Sequence, residues 1–120
     1  MIIYDLYAKR ATTFNQVFEY YQLSDGEEVI VDLTGYTAKL QVRVTPDSDE
    51  LLLEVAPVIT VSAASILVEF TAEQTEALFT ALAGKCGTYD LQLIDSCEEI
   101  YAFASGRLFV LSNTIHEDEE

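Results

Sequence analysis

Between Tyr36 and Val44 the side chains alternate in character at every step. Tyr36, Ala38, Leu40, Val42 and Val44 fall on one face, and Thr37, Lys39, Gln41 and Arg43 on the other. A period of two is the repeat of a pleated strand with one face on a core and one in water, and a helix cannot satisfy it. The same alternation returns at Tyr89, Leu91 and Leu93 against Asp90 and Gln92, and earlier at Phe14, Gln16, Phe18 and Tyr20. An antiparallel, one-face-buried sheet is therefore the principal building unit.

The punctuation between these runs is turn chemistry. Ser24-Asp25-Gly26 closes the Phe14 strand, and Asp32-Leu33-Thr34-Gly35 leads tightly into the Tyr36 strand, with Val29 to Val31 expected as a short buried strand between them. Pro46-Asp47-Ser48-Asp49 turns into Leu51 to Val55. Val58 to Val61 and Ile66 to Phe70 follow, with Pro57 expected at a strand start or edge because it has no amide to give a ladder. Glu99 to Leu111 is the last long strand, with a bulge expected at Ser105-Gly106. One segment breaks the period. Thr71-Ala72-Glu73-Gln74 fits a capping box, Ala77, Leu78 and Ala81 follow at helical spacing, and Gly84 supplies the stop. About eight short strands and one short connecting helix in 120 residues is the pattern of an all-β sandwich.

Charge decides which partners fit. The chain carries 21 acidic and 6 basic side chains, a formal net charge of −15. Nucleic acid and anionic membrane surfaces both demand clustered Lys and Arg, which six scattered basic residues cannot supply. The start of the chain lacks the basic and apolar regions of a signal peptide, and no apolar run approaches the ~20 residues that span a bilayer. Cys86 and Cys97 flank the Thr88 to Asp95 strand, whose eight residues at ~3.3 Å each hold them about 26 Å apart, so free thiols are expected.

No constellation of catalytic or ligand residues stands out. The single histidine, His116, sits beside the acidic residues Glu117 to Glu120, without the burial or orienting strand that a triad base needs. The two cysteines lack a base for the same reason. Asp47-Ser48-Asp49-Glu50 opens like a calcium loop but has neither the glycine at the sixth position nor the distal glutamate. The five glycines fit no phosphate-binding fingerprint. A non-enzymatic protein with no cofactor and no metal is the expectation.

The aromatic residues are uneven. Of 13 Phe and Tyr, six (Tyr4, Tyr7, Phe14, Phe18, Tyr20 and Tyr21) fall in the first 21 positions, where Asp5 and Glu19 balance Lys9 and Arg10. Uncharged, tyrosine-rich segments are what protein interfaces place at their centres. Residues 1–10 are accordingly expected as an interaction arm, with Ile2, Ile3, Tyr4, Leu6 and Tyr7 as its contact residues. The competing reading is an extra edge strand packed within the same domain. Residues 11–112 are expected as the sandwich and 113–120 as an acidic tail.

Asp32-Leu33-Thr34-Gly35-Tyr36-Thr37-Ala38-Lys39-Leu40-Gln41-Val42-Arg43 resembles a segment shared by small virion proteins of tailed bacteriophages, themselves similar to the N-terminal immunoglobulin-like domain of upper baseplate proteins. Thr13-Phe14, Ser24-Asp25-Gly26, Thr71 to Leu78, Gly87-Thr88-Tyr89-Asp90-Leu91 and Gly106-Arg107-Leu108-Phe109-Val110 fall in the order of that family's landmarks. The resemblance spans roughly residues 10 to 111. It implies an immunoglobulin-like antiparallel β-sandwich without catalytic residues, located in the virion and assembled in the bacterial host cytoplasm. The implied role is a tail or baseplate component, or a fibre adaptor, docking on other phage structural proteins in multiple symmetric copies. A capsid decoration protein of the head, and a carbohydrate-binding or adhesion module, are the two alternatives.

Overall fold

The structure is a computed structural model and describes residues 2–112, so His116 and the 113–120 tail lie outside the described residues. Eleven strands and one α-helix are arranged as β1 (Ile2–Ile3), β2 (Leu6–Lys9), β3 (Phe14–Glu19), β4 (Tyr21–Ser24), β5 (Glu27–Ile30), β6 (Thr37–Arg43), β7 (Leu53–Val55), β8 (Val58–Thr60), β9 (Ser65–Phe70), α1 (Ala72–Leu82), β10 (Gly87–Ile94) and β11 (Ile100–Leu111). One sheet runs β1-β11-β10-β6-β7, with β2 also on β11, and a second runs β3-β9-β8. The two sheets share one core, to which Leu40, Val42, Tyr89, Leu91 and Leu93 contribute from the first and Phe18, Ile66, Val68 and Phe70 from the second. Among the described residues this is a mostly β, sandwich-type architecture with a single α-helix and one 3-10 turn at Val61–Ala63.

The alternation at 36–44 becomes β6, where Ala38, Leu40 and Val42 are buried and the residues between them are not. The capping box forms as well: the Thr71 hydroxyl accepts from the Gln74 amide, and the Gln74 side chain accepts from the Thr71 amide. Pro57 lies immediately before β8, an edge strand. The 32–35 connection is an Asx turn. Asp32 Oδ1 accepts from the Thr34 amide at 3.0 Å and from its hydroxyl at 2.6 Å, while Leu33 drops into the core as its anchor.

Three expectations need correction. The Val29 strand is not buried: β4 and β5 form a separate two-stranded ribbon whose eight residues are all exposed. Asp25 and Gly26, at φ 53° and 81°, make the positive-φ turn of this hairpin, and the Val31 amide bonds the Tyr20 carbonyl at its base. The bulge of β11 is at Phe103 instead of Ser105-Gly106, because Leu91 pairs with Ala104 while Gln92 pairs with Ala102. The extra residue lets Phe103 and Ala104, adjacent in sequence, both face the core.

The third correction concerns the expected arm at 1–10, of which residues 2–3 and 6–9 are built into the first sheet. β1 and β2 lie parallel to β11 in a single register, Ile2 opposite Ala104 and Leu6 opposite Leu108. Leu6 is 1% exposed and belongs to the core, so it is not a contact residue of a free arm. Its position follows from the pleat: Leu6 and Ala8 face inward, and Tyr7 and Lys9 outward. Where the ladder breaks at Tyr4-Asp5, the Asp5 carboxylate accepts from the Arg107 amide at 3.0 Å and replaces the missing carbonyl. Gly106 stands opposite this break, where a Cβ would run into the Tyr4 carbonyl.

Candidate functional site: an aromatic surface at the hairpin end

The registers of β6, β10 and β11 define two ends. Arg43, Thr88 and Arg107 lie together at one end, beyond which the helix packs. Thr37, Ile94 and Ile100 lie at the other, with the β4–β5 hairpin and the turn that joins β10 to β11. Gly35 of the Asx turn lies close to the Ser96 side chain of that turn.

Exposed apolar side chains gather at the hairpin end. Tyr21 pairs with Ile30 on one face of the ribbon, with Leu23 next along that face at 78% exposure. Ile100 and Tyr101 at the start of β11 are also exposed, as is Ile2 on the neighbouring strand. Ile2, Glu19, Tyr20, Tyr21, Ala102 and Phe103 line one cleft here, of about 290 Å³. Tyr20, Tyr36, Leu93, Tyr101, Ala102 and Phe103 line a second, of about 180 Å³. The Tyr20 and Phe103 rings, 5.1 Å apart between centroids, are common to both, and Tyr36 and Tyr101 face each other at 6.4 Å.

The polar frame of this end is acidic. Residues 19–32 hold Glu19, Asp25, Glu27, Glu28 and Asp32 and no Lys or Arg, and the β10–β11 turn adds Asp95, Glu98 and Glu99. Asp95 organises that turn: its Oδ1 accepts from the Cys97 and Glu99 amides, both at 2.9 Å, and its Oδ2 accepts from the Tyr101 hydroxyl at 3.1 Å. Those donors hold the Asp95 carboxyl below the usual carboxylate range, the Glu99 amide contributing most. The hydrogen bond to Asp95, and the negative charge behind it, push the Tyr101 phenol up. The Thr34 hydroxyl and amide likewise hold Asp32 low.

Of the five contact residues expected from the sequence, only Ile2 belongs to this surface. Ile3 is exposed along β1, with Pro46, Thr88, Gly106 and Arg107 around the groove beside it. Tyr4 is tied down by an edge contact to Phe18 and by the Tyr89 hydroxyl, which donates to its carbonyl. Tyr7 is exposed and stacks on Phe109 at 4.9 Å. Leu6 is in the core. The hairpin residues Tyr21, Leu23 and Ile30, and the pair Tyr36 and Tyr101, were absent from the expectation. The aromatic excess of the first 21 positions pointed toward Tyr20 and Tyr21, but nothing local marks Tyr101 as their neighbour. Cys86 is half-buried and Cys97 exposed, and both are free thiols. Among the described residues no cluster of three or more His, Cys, Asp or Glu is placed to hold a metal ion, and no helix is long and apolar enough to cross a membrane. No protein-family model matches the chain, and no curated protein matches it.

Proposed function

We propose that this chain is a non-enzymatic structural subunit of a tailed bacteriophage particle, a tail or baseplate component or fibre adaptor that docks on neighbouring virion subunits through its hairpin end. The observation that carries the docking reading is the β4–β5 ribbon, which leaves Tyr21, Leu23 and Ile30 on one face in water. Apolar side chains grouped beyond the core are a liability in a lone protein and an asset in an assembled one. The virion assignment rests on the Asp32 to Arg43 resemblance, whose residues form the Asx turn and β6. An immunoglobulin-like topology is supported by the order β2-β11-β10-β6-β7 against β3-β9-β8, with the parallel β2–β11 pair at the edge and the helix crossing between sheets.

The test is incorporation into particles. In cells producing the particle, tagged wild-type chain is expected in purified virions, at the tail when viewed by electron microscopy. Leu23→Asp, on a fully exposed ribbon, is expected to fold normally and to be incorporated at least tenfold less. Equal incorporation of the variant contradicts docking through the hairpin, and label on the head contradicts the tail assignment.

A further inference from the structure

The smaller cleft carries a more specific reading of the same surface, and it rests on the docking function proposed above. We infer that the cleft lined by Tyr20, Tyr36, Tyr101 and Phe103 receives one arginine side chain of the docking partner. Three features converge on this occupant.

Size comes first. At about 180 Å³ the cleft is well below the ~300–1,000 Å³ of small-molecule sites, and it suits a single long side chain. The lining comes next. Four of the six lining residues are aromatic, a lining that suits a cation better than an anion because ring π-faces are negative and a planar guanidinium stacks on them. Charge is the third feature. The Tyr101 hydroxyl is bonded to Asp95, so a fixed carboxylate lies just behind the cleft, and Glu99 is close in sequence. Asp95 already spends both oxygens on Cys97, Glu99 and Tyr101, so it acts on the cation through its field, with ring stacking supplying the direct contact.

The same charges argue against a second copy as the partner. Joining two hairpin ends would bring Glu19, Asp25, Glu27, Glu28 and Asp32 of one chain against the same five of another, on molecules of net charge −15 each. A different protein, with an apolar patch rimmed by Arg, meets this surface without that repulsion.

The experiment is an NMR titration of the intact protein with two peptides, Ac-Ser-Gly-Arg-Gly-Ser-amide and its citrulline counterpart, which keeps the shape and removes the charge. The arginine peptide is expected to shift the Tyr36, Tyr101 and Phe103 ring signals saturably and to bind at least tenfold more tightly than the citrulline peptide. Asp95→Asn keeps the turn's acceptor oxygen and is expected to weaken only the arginine peptide, several-fold. Equal binding of the two peptides overturns the inference. So do shifts spread over all the acidic surface without saturation, or an oligosaccharide that moves the same rings as strongly as arginine. Concentration-dependent self-association abolished by Leu23→Asp overturns the choice of a foreign partner. If the arginine peptide fails while Leu23→Asp still blocks incorporation, the cleft inference falls and docking stands. If it binds while incorporation is unaffected, docking falls and the cleft stands.

Discussion

Tyr89 reaches from β10 beneath β11 to the carbonyl of Tyr4, passing the one position, Gly106, that has no side chain in the way. The phenol thereby ties β10 to the link between β1 and β2, 85 positions away in sequence. Burial pushes its pKa up to about 12, with the nearby Asp5 charge adding to the effect. A folded-state pKa above the unfolded value of 10 means that the native state holds the proton more tightly. The contribution is complete below about pH 10 and is lost as the pH rises toward 12. Tyr89→Phe is expected to cost about 1–3 kcal/mol at pH 7, because the part-buried Tyr4 carbonyl loses its donor. Urea melts of both proteins at pH 7, 9 and 11 check this: the gap between them should be constant from pH 7 to 9 and narrow at pH 11. A gap independent of pH over that range contradicts the role of the phenolic proton.

At the scale of elements, legibility follows how local each signal is. β6 and α1 were readable because alternation and a capping box are complete within a dozen residues. The exposure of β5 was not, since Val29-Ile30-Val31 has the composition of a buried strand and, among the described residues, no layer covers the ribbon. The pairing of β2 with β11 spans about a hundred positions, and parallel neighbours leave no turn between them to read. The one local clue to that pairing is Gly106, where any Cβ would meet the Tyr4 carbonyl, and a glycine in a strand reads equally well as a bulge. Helix α1 shows how the long-range join is secured. Its buried Thr75 hydroxyl accepts from the Thr12 amide at 3.1 Å and donates to the Thr12 carbonyl at 2.8 Å, in the turn between β2 and β3. Arg10 adds a 2.6 Å pair with Glu76 and sits over the Phe79 ring, but that pair is solvated and screened. Thr75→Val, equal in shape, is therefore expected to cost about 1–3 kcal/mol by leaving the Thr12 groups unpaired, whereas Glu76→Gln changes little. Thermal melts of the two variants, with amide exchange at Thr12, test the ranking, and a reversed order refutes it.

Over the whole molecule, the two ends divide labour. The helix end gathers Lys9, Arg10, Arg43, Lys85 and Arg107 and the contacts that tie the chain's start to its core, while the hairpin end holds the base-free acidic run of residues 19–32 and the clefts lined by Tyr20, Tyr21, Tyr36 and Tyr101. Residues 2–9 are thus tied into the core sheet, and the aromatic excess of the first 21 positions divides between packing and surface. Tyr4 packs edge-on against the buried Phe18 while its own ring stays partly exposed, and Tyr20 and Tyr21 line the clefts. A chain lacking residues 1–9 discriminates this arrangement from a free arm. Truncation removes Leu6 and Ala8 from the core, uncovers an edge of β11 and leaves the Tyr89 hydroxyl without its acceptor. Loss of one buried leucine side chain alone costs about 2–5 kcal/mol, against a total stability of about 5–15 kcal/mol for a domain of ordinary size. The truncated protein is expected to lose most of its cooperative melting transition and its near-ultraviolet circular dichroism. A detachable arm would leave both unchanged. Full retention of the wild-type midpoint would return residues 1–10 to the role of a separate binding segment.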